Sequence, residues 1–170
     1  MLIKKLKETA LEMDGQPIEL QGWVRTNRKS KNVAFIELND GSTFSNVQVV
    51  YVNDMEGVEE ASKITTCSAI QVNGTVKVTT DGKQPFEIAA DSIEVLGMAD
   101  HEYPLQKKRH SFEYLREIPH IRPRANTYYA VFRLRSVLSM AIHTFFQDRG
   151  FVYIHTPEIT GNDAEGADTA

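Results

Sequence analysis

Cysteine is almost missing from this chain: Cys67 stands alone, which excludes an internal disulfide and any thiolate metal cluster. The five histidines, His101, His110, His120, His143 and His155, show no paired helical spacing. Structural metals need about four closed ligands, so no metal site is expected. No apolar run approaches the roughly 20 residues that span a bilayer. Residues 1–5 lack the apolar core and small-residue cleavage site of a secretory signal, so a cytoplasmic protein without membrane attachment is the expectation. Also missing are a nucleophile elbow, a phosphate-cradling glycine loop and an HExxH pair, so no catalytic residue is assigned within the chain.

What is present is ordinary in bulk and uneven in detail. Hydrophobic residues make up 41% and charged residues 25% of 170 residues, a composition normal for a globular protein of one domain or one and a half. The net charge of -4 argues against non-specific coating of nucleic acid. Yet residues 20–36 hold Arg25, Arg28, Lys29 and Lys31 with no acid among their immediate neighbours, and Lys107-Lys108-Arg109-His110 form a second basic block. Local basic patches on an acidic protein fit selective docking; solvated charged loops remain the alternative.

Periodicity divides the chain. Residues 3–13 read as a short amphipathic helix with Leu2, Leu6 and Leu11 on one side, stopped by Asp14-Gly15. Strand-like alternation follows at 18–26, 33–38, 44–52, 70–78 and 86–96, with a brief helix at 54–63 and turn signals at Asn39-Asp40-Gly41-Ser42 and Asp81-Gly82. Three strands, a helix and two strands make the order of an OB-fold, a small Greek-key barrel that often binds oligonucleotides. Prolines at 104, 119 and 123 among basic and aromatic residues read as a hinge. Residues 131–149 then form a long helix with two apolar stripes: Val131, Leu134, Leu138, Ala141 and Phe145 in one, Phe132, Val137, Ile142 and Phe146 in the other. Asn126 or Thr127 is expected to cap it, Gly150 to end it, and residues 151–155 to follow as a strand before Pro157. The fold class is therefore mostly β followed by α/β, with domains at 1–100, 101–127 and 128–170.

Strand parity exposes the candidate site. In Ala34-Phe35-Ile36-Glu37-Leu38 the core set is Ala34, Ile36 and Leu38, which leaves Phe35 on the polar face with Glu37. An aromatic there, beside Arg25 and Arg28, either stacks an unpaired base, worth roughly 1–3 kcal/mol, or lies beneath a loop. Gln48 on the third strand can donate to and accept from a base edge, and Glu87 on the fifth can accept from an amino or imino group. Each singly is an ordinary outward polar residue; together on one barrel face they suggest reading of a single strand.

The segments Gly22-Trp23-Val24-Arg25 and Ala34-Phe35-Ile36-Glu37 resemble the anticodon-binding domain of class II aminoacyl-tRNA synthetases of the aspartate, asparagine and lysine subgroup. Residues 103–113, with Leu115-Arg116 and His120-Ile121-Arg122-Pro123-Arg124, are similar to its asparaginyl branch. The helix, residues 150–157 and Glu165-Gly166-Ala167 resemble the first class II signature motif and the residues after it.

The resemblance implies that Phe35 stacks on the central anticodon uridine and Gln48 reads its edge, with Arg25, Arg28 and Glu87 on neighbouring anticodon groups. It implies that Glu165 binds the amino group of the amino-acid substrate, and that Leu134, Leu138, Phe145 and Pro157 belong to a homodimer interface. It further implies a parent enzyme using ATP and Mg2+ to join asparagine to its tRNA. The second and third class II motifs are not among these residues, so this chain alone is expected to be inactive and to hold neither cofactor. An aspartyl enzyme, including a non-discriminating one, and a free-standing OB binding module remain as alternatives.

Overall fold

The computed structural model describes residues 1–79 and 84–159. They form two compact units, Met1–Asn126 and a second that begins at Thr127.

In the first unit, β1 (Pro17–Lys29), β2 (Val33–Asn39), β3 (Val47–Val52), β4 (Ala69–Val78) and β5 (Phe86–Gly97) close into a barrel in the order β1-β2-β3-β5-β4. Helix α2 (Val58–Lys63) connects β3 to β4. This is the five-stranded OB-fold that the alternation predicts. All pairings are antiparallel except β3 with β5, where Val49 faces Ile88 and Val50 faces Ala89. β1 closes the barrel because it is long enough for two partners. Residues from Pro17 to Trp23 pair with β4, and from Trp23 onward the strand pairs with β2.

Period-two alternation sends Leu20, Val24, Ile36, Leu38, Val49, Ile70, Val72 and Ile88 into a core from which solvent is fully excluded. Tyr51 shares that core and donates its hydroxyl to Asn27 Oδ1 at 3.1 Å. Asn27 Nδ2 in turn donates to the Ala61 and Ile64 carbonyls at 2.9 and 3.2 Å, which fastens the end of α2 to β1. Orphan carbonyls at a helix end require such a donor. β5 carries an extra residue, Asp91, opposite Asn73 and Gly74 of β4, and a Cβ on Gly74 would collide with the Ala89 carbonyl.

Several boundaries differ from the sequence reading. β1 runs on to Lys29, and β3 starts at Val47 because Asn39 and Asp40 hold residues 41–46 in a polar turn that leaves Phe44 exposed. Helix α1 (Ile3–Thr9), continued by a 3-10 turn, buries Ile3, Leu6 and Ala10. Leu2 and Leu11, expected on the buried side, are exposed. The cause is Asp40, whose carboxylate accepts the Ile3 N–H at 2.8 Å and so sets the helix rotation. Asp40 also accepts the Ser42 N–H at 2.9 Å and hydroxyl at 2.6 Å. Burial works against its charge, but these donors outweigh it and hold the carboxyl below its ordinary pKa.

Beyond the barrel lie α3 (Phe112–Glu117), whose Ser111 side chain accepts the Tyr114 N–H, and a 3-10 turn at Arg122–Arg124. The long helix α4 is Asn126–Gln147, five residues longer at its start than the apolar stripes indicate. Its apolar residues are exposed all round, Leu134, Leu138 and Phe145 among them. Gly150, at φ +82°, ends the helical region as expected. Residues 151–155 are not a strand, contrary to the reading above. No described strand offers them a ladder, and they turn back on the helix instead. Phe151 donates its N–H to the Phe146 carbonyl and sets its ring edge-on to Phe146 at 5.3 Å, and Tyr153 meets His143 edge-on at 4.8 Å.

Two outcomes follow from these packing arguments. Gly74→Ala should destabilise the barrel by about 1–3 kcal/mol, since backbone cannot yield as a side chain can; urea unfolding measures it. Asp40 has a folded pKa below its unfolded value of about 4, so its stabilisation is present above that pH and is lost as pH falls through the folded pKa. Asp40→Asn should therefore flatten the acid limb of stability against pH, and an unaltered limb would remove Asp40 from acid unfolding.

Candidate nucleic-acid interface

The outer face of β1, β2, β3 and β5 carries the candidate residues. Across β1 and β2, Thr26 faces Glu37 and Arg28 faces Phe35; across β2 and β3, Phe35 faces Val50 and Glu37 faces Gln48. Phe35 is partly exposed, flanked by a cation on one side and a valine on the other. Gln48 Nε2 donates to Glu87 Oε2 at 3.2 Å, which aligns the amide and carboxylate side by side. That pair leaves the Gln48 carbonyl oxygen and the second Glu87 oxygen as acceptors for incoming N–H groups.

A polar chain holds this face. Arg28 lies 3.5 Å from Glu37 Oε1, Asn46 Nδ2 donates to Glu37 Oε2 at 3.1 Å, and Asn39 Nδ2 donates to Asn46 Oδ1 at 3.1 Å. The Arg28 side chain is 56% exposed, and an ion pair so wet is worth about 0–1 kcal/mol, so it exchanges readily for a phosphate. Below Glu37 an open depression of about 370 Å³ is lined by Lys7, Asn46, Val47, Gln84 and Phe86 among others. Lys7 there has its ammonium pKa lowered by desolvation.

Arg25 does not join Phe35. The β1–β2 register slips between Val24 and Thr26, so Arg25 occupies a bulge. Its guanidinium donates to Asn126 Oδ1 at 2.9 Å and to the Arg124 carbonyl at 3.3 Å. Thr26 takes the place that simple alternation assigns to Arg25, and its hydroxyl is buried without a partner. Sequence reading missed Thr26, because nothing in Val24-Arg25-Thr26 announces a bulge. Glu165 lies outside the described residues. Leu134, Leu138, Phe145 and Pro157 all lie exposed in the second unit. Among the described residues no three His, Cys, Asp or Glu side chains could hold a metal ion, and no helix is long and apolar enough to cross a membrane.

Residues 18–96 match the tRNA anti-codon family, an OB-fold nucleic acid binding domain. The barrel is thus similar to an OB-fold nucleic acid binding domain over the whole run from β1 to β5. More particularly, the chain is homologous along nearly its whole length to asparagine–tRNA ligases. It is 57% identical to that of Alkaliphilus oremlandii over 98% of its own residues and 36% of that protein. The crystal structure of asparaginyl-tRNA synthetase from Pyrococcus horikoshii with asparaginyl-adenylate aligns at a TM-score of 0.81 and 25% identity, over 92% of this chain and 36% of that one. An Entamoeba histolytica aspartyl-tRNA synthetase, 21% identical over 92% of this chain and 39% of its own, shares the fold at 0.78. The chain therefore spans about a third of the length of the relatives it matches.

Proposed function

We propose that this chain supplies the anticodon-reading part of an asparagine–tRNA ligase, the enzyme that uses ATP to join asparagine to its tRNA in the cytoplasm. The observation that carries the reading is the single outer face on which Phe35, Arg28, Gln48 and Glu87 meet. A base slid onto the Phe35 ring would place its edge against the Gln48 amide, while Glu87 accepts from an adjacent base and Arg28 trades Glu37 for a phosphate. Such a site favours an unpaired loop, whose splayed bases expose both ring and edge.

In this reading residues 1–100 are the anticodon-binding domain, 101–127 a connecting segment and 128–170 the start of the catalytic domain. The adenylate held by the Pyrococcus relative supports ATP as co-substrate. Mg2+ would accompany it, with both bound by residues outside those described, and Glu165 would meet the amino group of asparagine. The exposed apolar helix α4 supports a homodimer in which Leu134, Leu138, Phe145 and Pro157 face a second copy, since apolar faces this extensive seek cover.

Phe35→Ala should weaken binding of a matching anticodon stem-loop about 10- to 100-fold without lowering the melting temperature. Unchanged affinity across a salt series would sink the proposal. A stem-loop altered only in the third anticodon base separates an asparaginyl from an aspartyl reader, because the first should reject it and a non-discriminating aspartyl reader should not. For the dimer, sedimentation should show association that rises with concentration and is abolished by Phe145→Asp; a strict monomer at high concentration would count against it.

A further inference from the structure

The bulge at Arg25 has a partner structure on the connecting segment. Val24 bonds through both backbone groups to the turn before β4, its N–H to the Ser68 carbonyl at 2.9 Å and its carbonyl to the Cys67 N–H at 2.7 Å. Cys67 holds a left-handed backbone, φ 71°, to make that contact. With Val24 pinned, Arg25 is pushed out of the β1–β2 ladder and reaches Arg124 and Asn126, one hundred residues away in sequence. Contact is returned from the other side: the Arg124 guanidinium lies 4.7 Å from the centre of the Trp23 ring. Trp23 and Arg25 thus grip one short stretch of chain, the first by its side chain and the second by its carbonyl and by Asn126.

The same stretch is anchored where it leaves β5. Ala99 N–H donates to Ser68 Oγ at 3.0 Å, Thr65 Oγ1 donates to the Ala99 carbonyl at 2.7 Å, and Leu105 is buried. Both ends of the connecting segment therefore rest against the turn at residues 65–68 or the β1 strand bonded to it. Burial raises the Cys67 thiol pKa, and the charges of Arg25 and Arg124 nearby pull it partly back, which fits two guanidiniums converging there.

We propose that Arg25 is a positioning residue: with Trp23 it forms a latch that fastens residues 124–126 to the barrel. This replaces the expectation that Arg25 touches the anticodon. It deepens the reading above, since it leaves contact with the strand to Phe35, Arg28, Gln48 and Glu87. Arg28, three positions on and past the bulge, keeps the phosphate-facing role.

The chain itself carries the reporters. Trp23 is the sole tryptophan, so its emission senses the Arg124 guanidinium, and trypsin reaches the bond after Arg124 when the segment around it opens from the barrel. Arg25→Gln should shift the Trp23 emission and speed tryptic cleavage after Arg124 about tenfold. Arg25→Lys, which retains a charged donor, should recover part of both, and Arg124→Gln should shift the emission in the same way. Stem-loop affinity of Arg25→Gln should stay within about twofold of the parent, whereas a phosphate contact would lose considerably more and steepen less with salt. Unaltered emission and cleavage in Arg25→Gln overturn the latch, and so does a tenfold loss of stem-loop affinity. Should Arg25→Gln fail to fold, the lysine and Arg124 variants decide alone. If the parent chain binds no stem-loop, the anticodon reading falls while emission and proteolysis still judge the latch.

Discussion

The first unit depends on β1 serving two partners at once. Its early residues pair with β4 and its later ones with β2, so the strand is both the seam of the closed barrel and the floor of the outer face. Closure gives every strand two neighbours, and Leu20, Val24 and their opposite numbers are buried inside. β1 passes from β4 to β2 at Trp23, and the bulge at Arg25 follows two residues later. From there the consequences spread: Thr26 and Arg28 turn outward beside Phe35, Asn27 turns inward to hold Tyr51 and α2, and Arg25 is left to reach the connecting segment.

The outer face is organised by weak polar contacts on a rigid support. Glu37 links Arg28 to Asn46, and Gln48 leans on Glu87, all at the surface where water competes. Such contacts orient side chains at small energetic cost, and a ligand can replace them one at a time. Rigidity comes from the strands below, so the groups on the face are already aimed. This division between a dry core that fixes positions and a wet face that exchanges partners suits recognition of a flexible strand.

Much of this was legible in the chain. Alternation placed all five strands, and parity put Phe35, Gln48 and Glu87 on one side because period two is local and survives any closed arrangement. Segments of the barrel and of residues 103–124 carried the resemblance that the homologues then matched over 98% of the chain. What stayed hidden was decided by partners distant in sequence. The rotation of α1 is set by Asp40, the start of β3 by the Asn39 and Asp40 turn, and the fold-back of residues 151–153 by the rings of Phe146 and His143.

Arg25 draws the line between the two. The sequence by itself determined that a cation stands there on a strand of an OB barrel, two positions after a tryptophan and in a basic stretch. It determined the residue types available to the outer face, since composition and alternation need no knowledge of neighbours. Only the tertiary structure decided which way that cation points. The direction depends on one extra residue in a ladder, next to a Val24 that Cys67 and Ser68 hold from the other side.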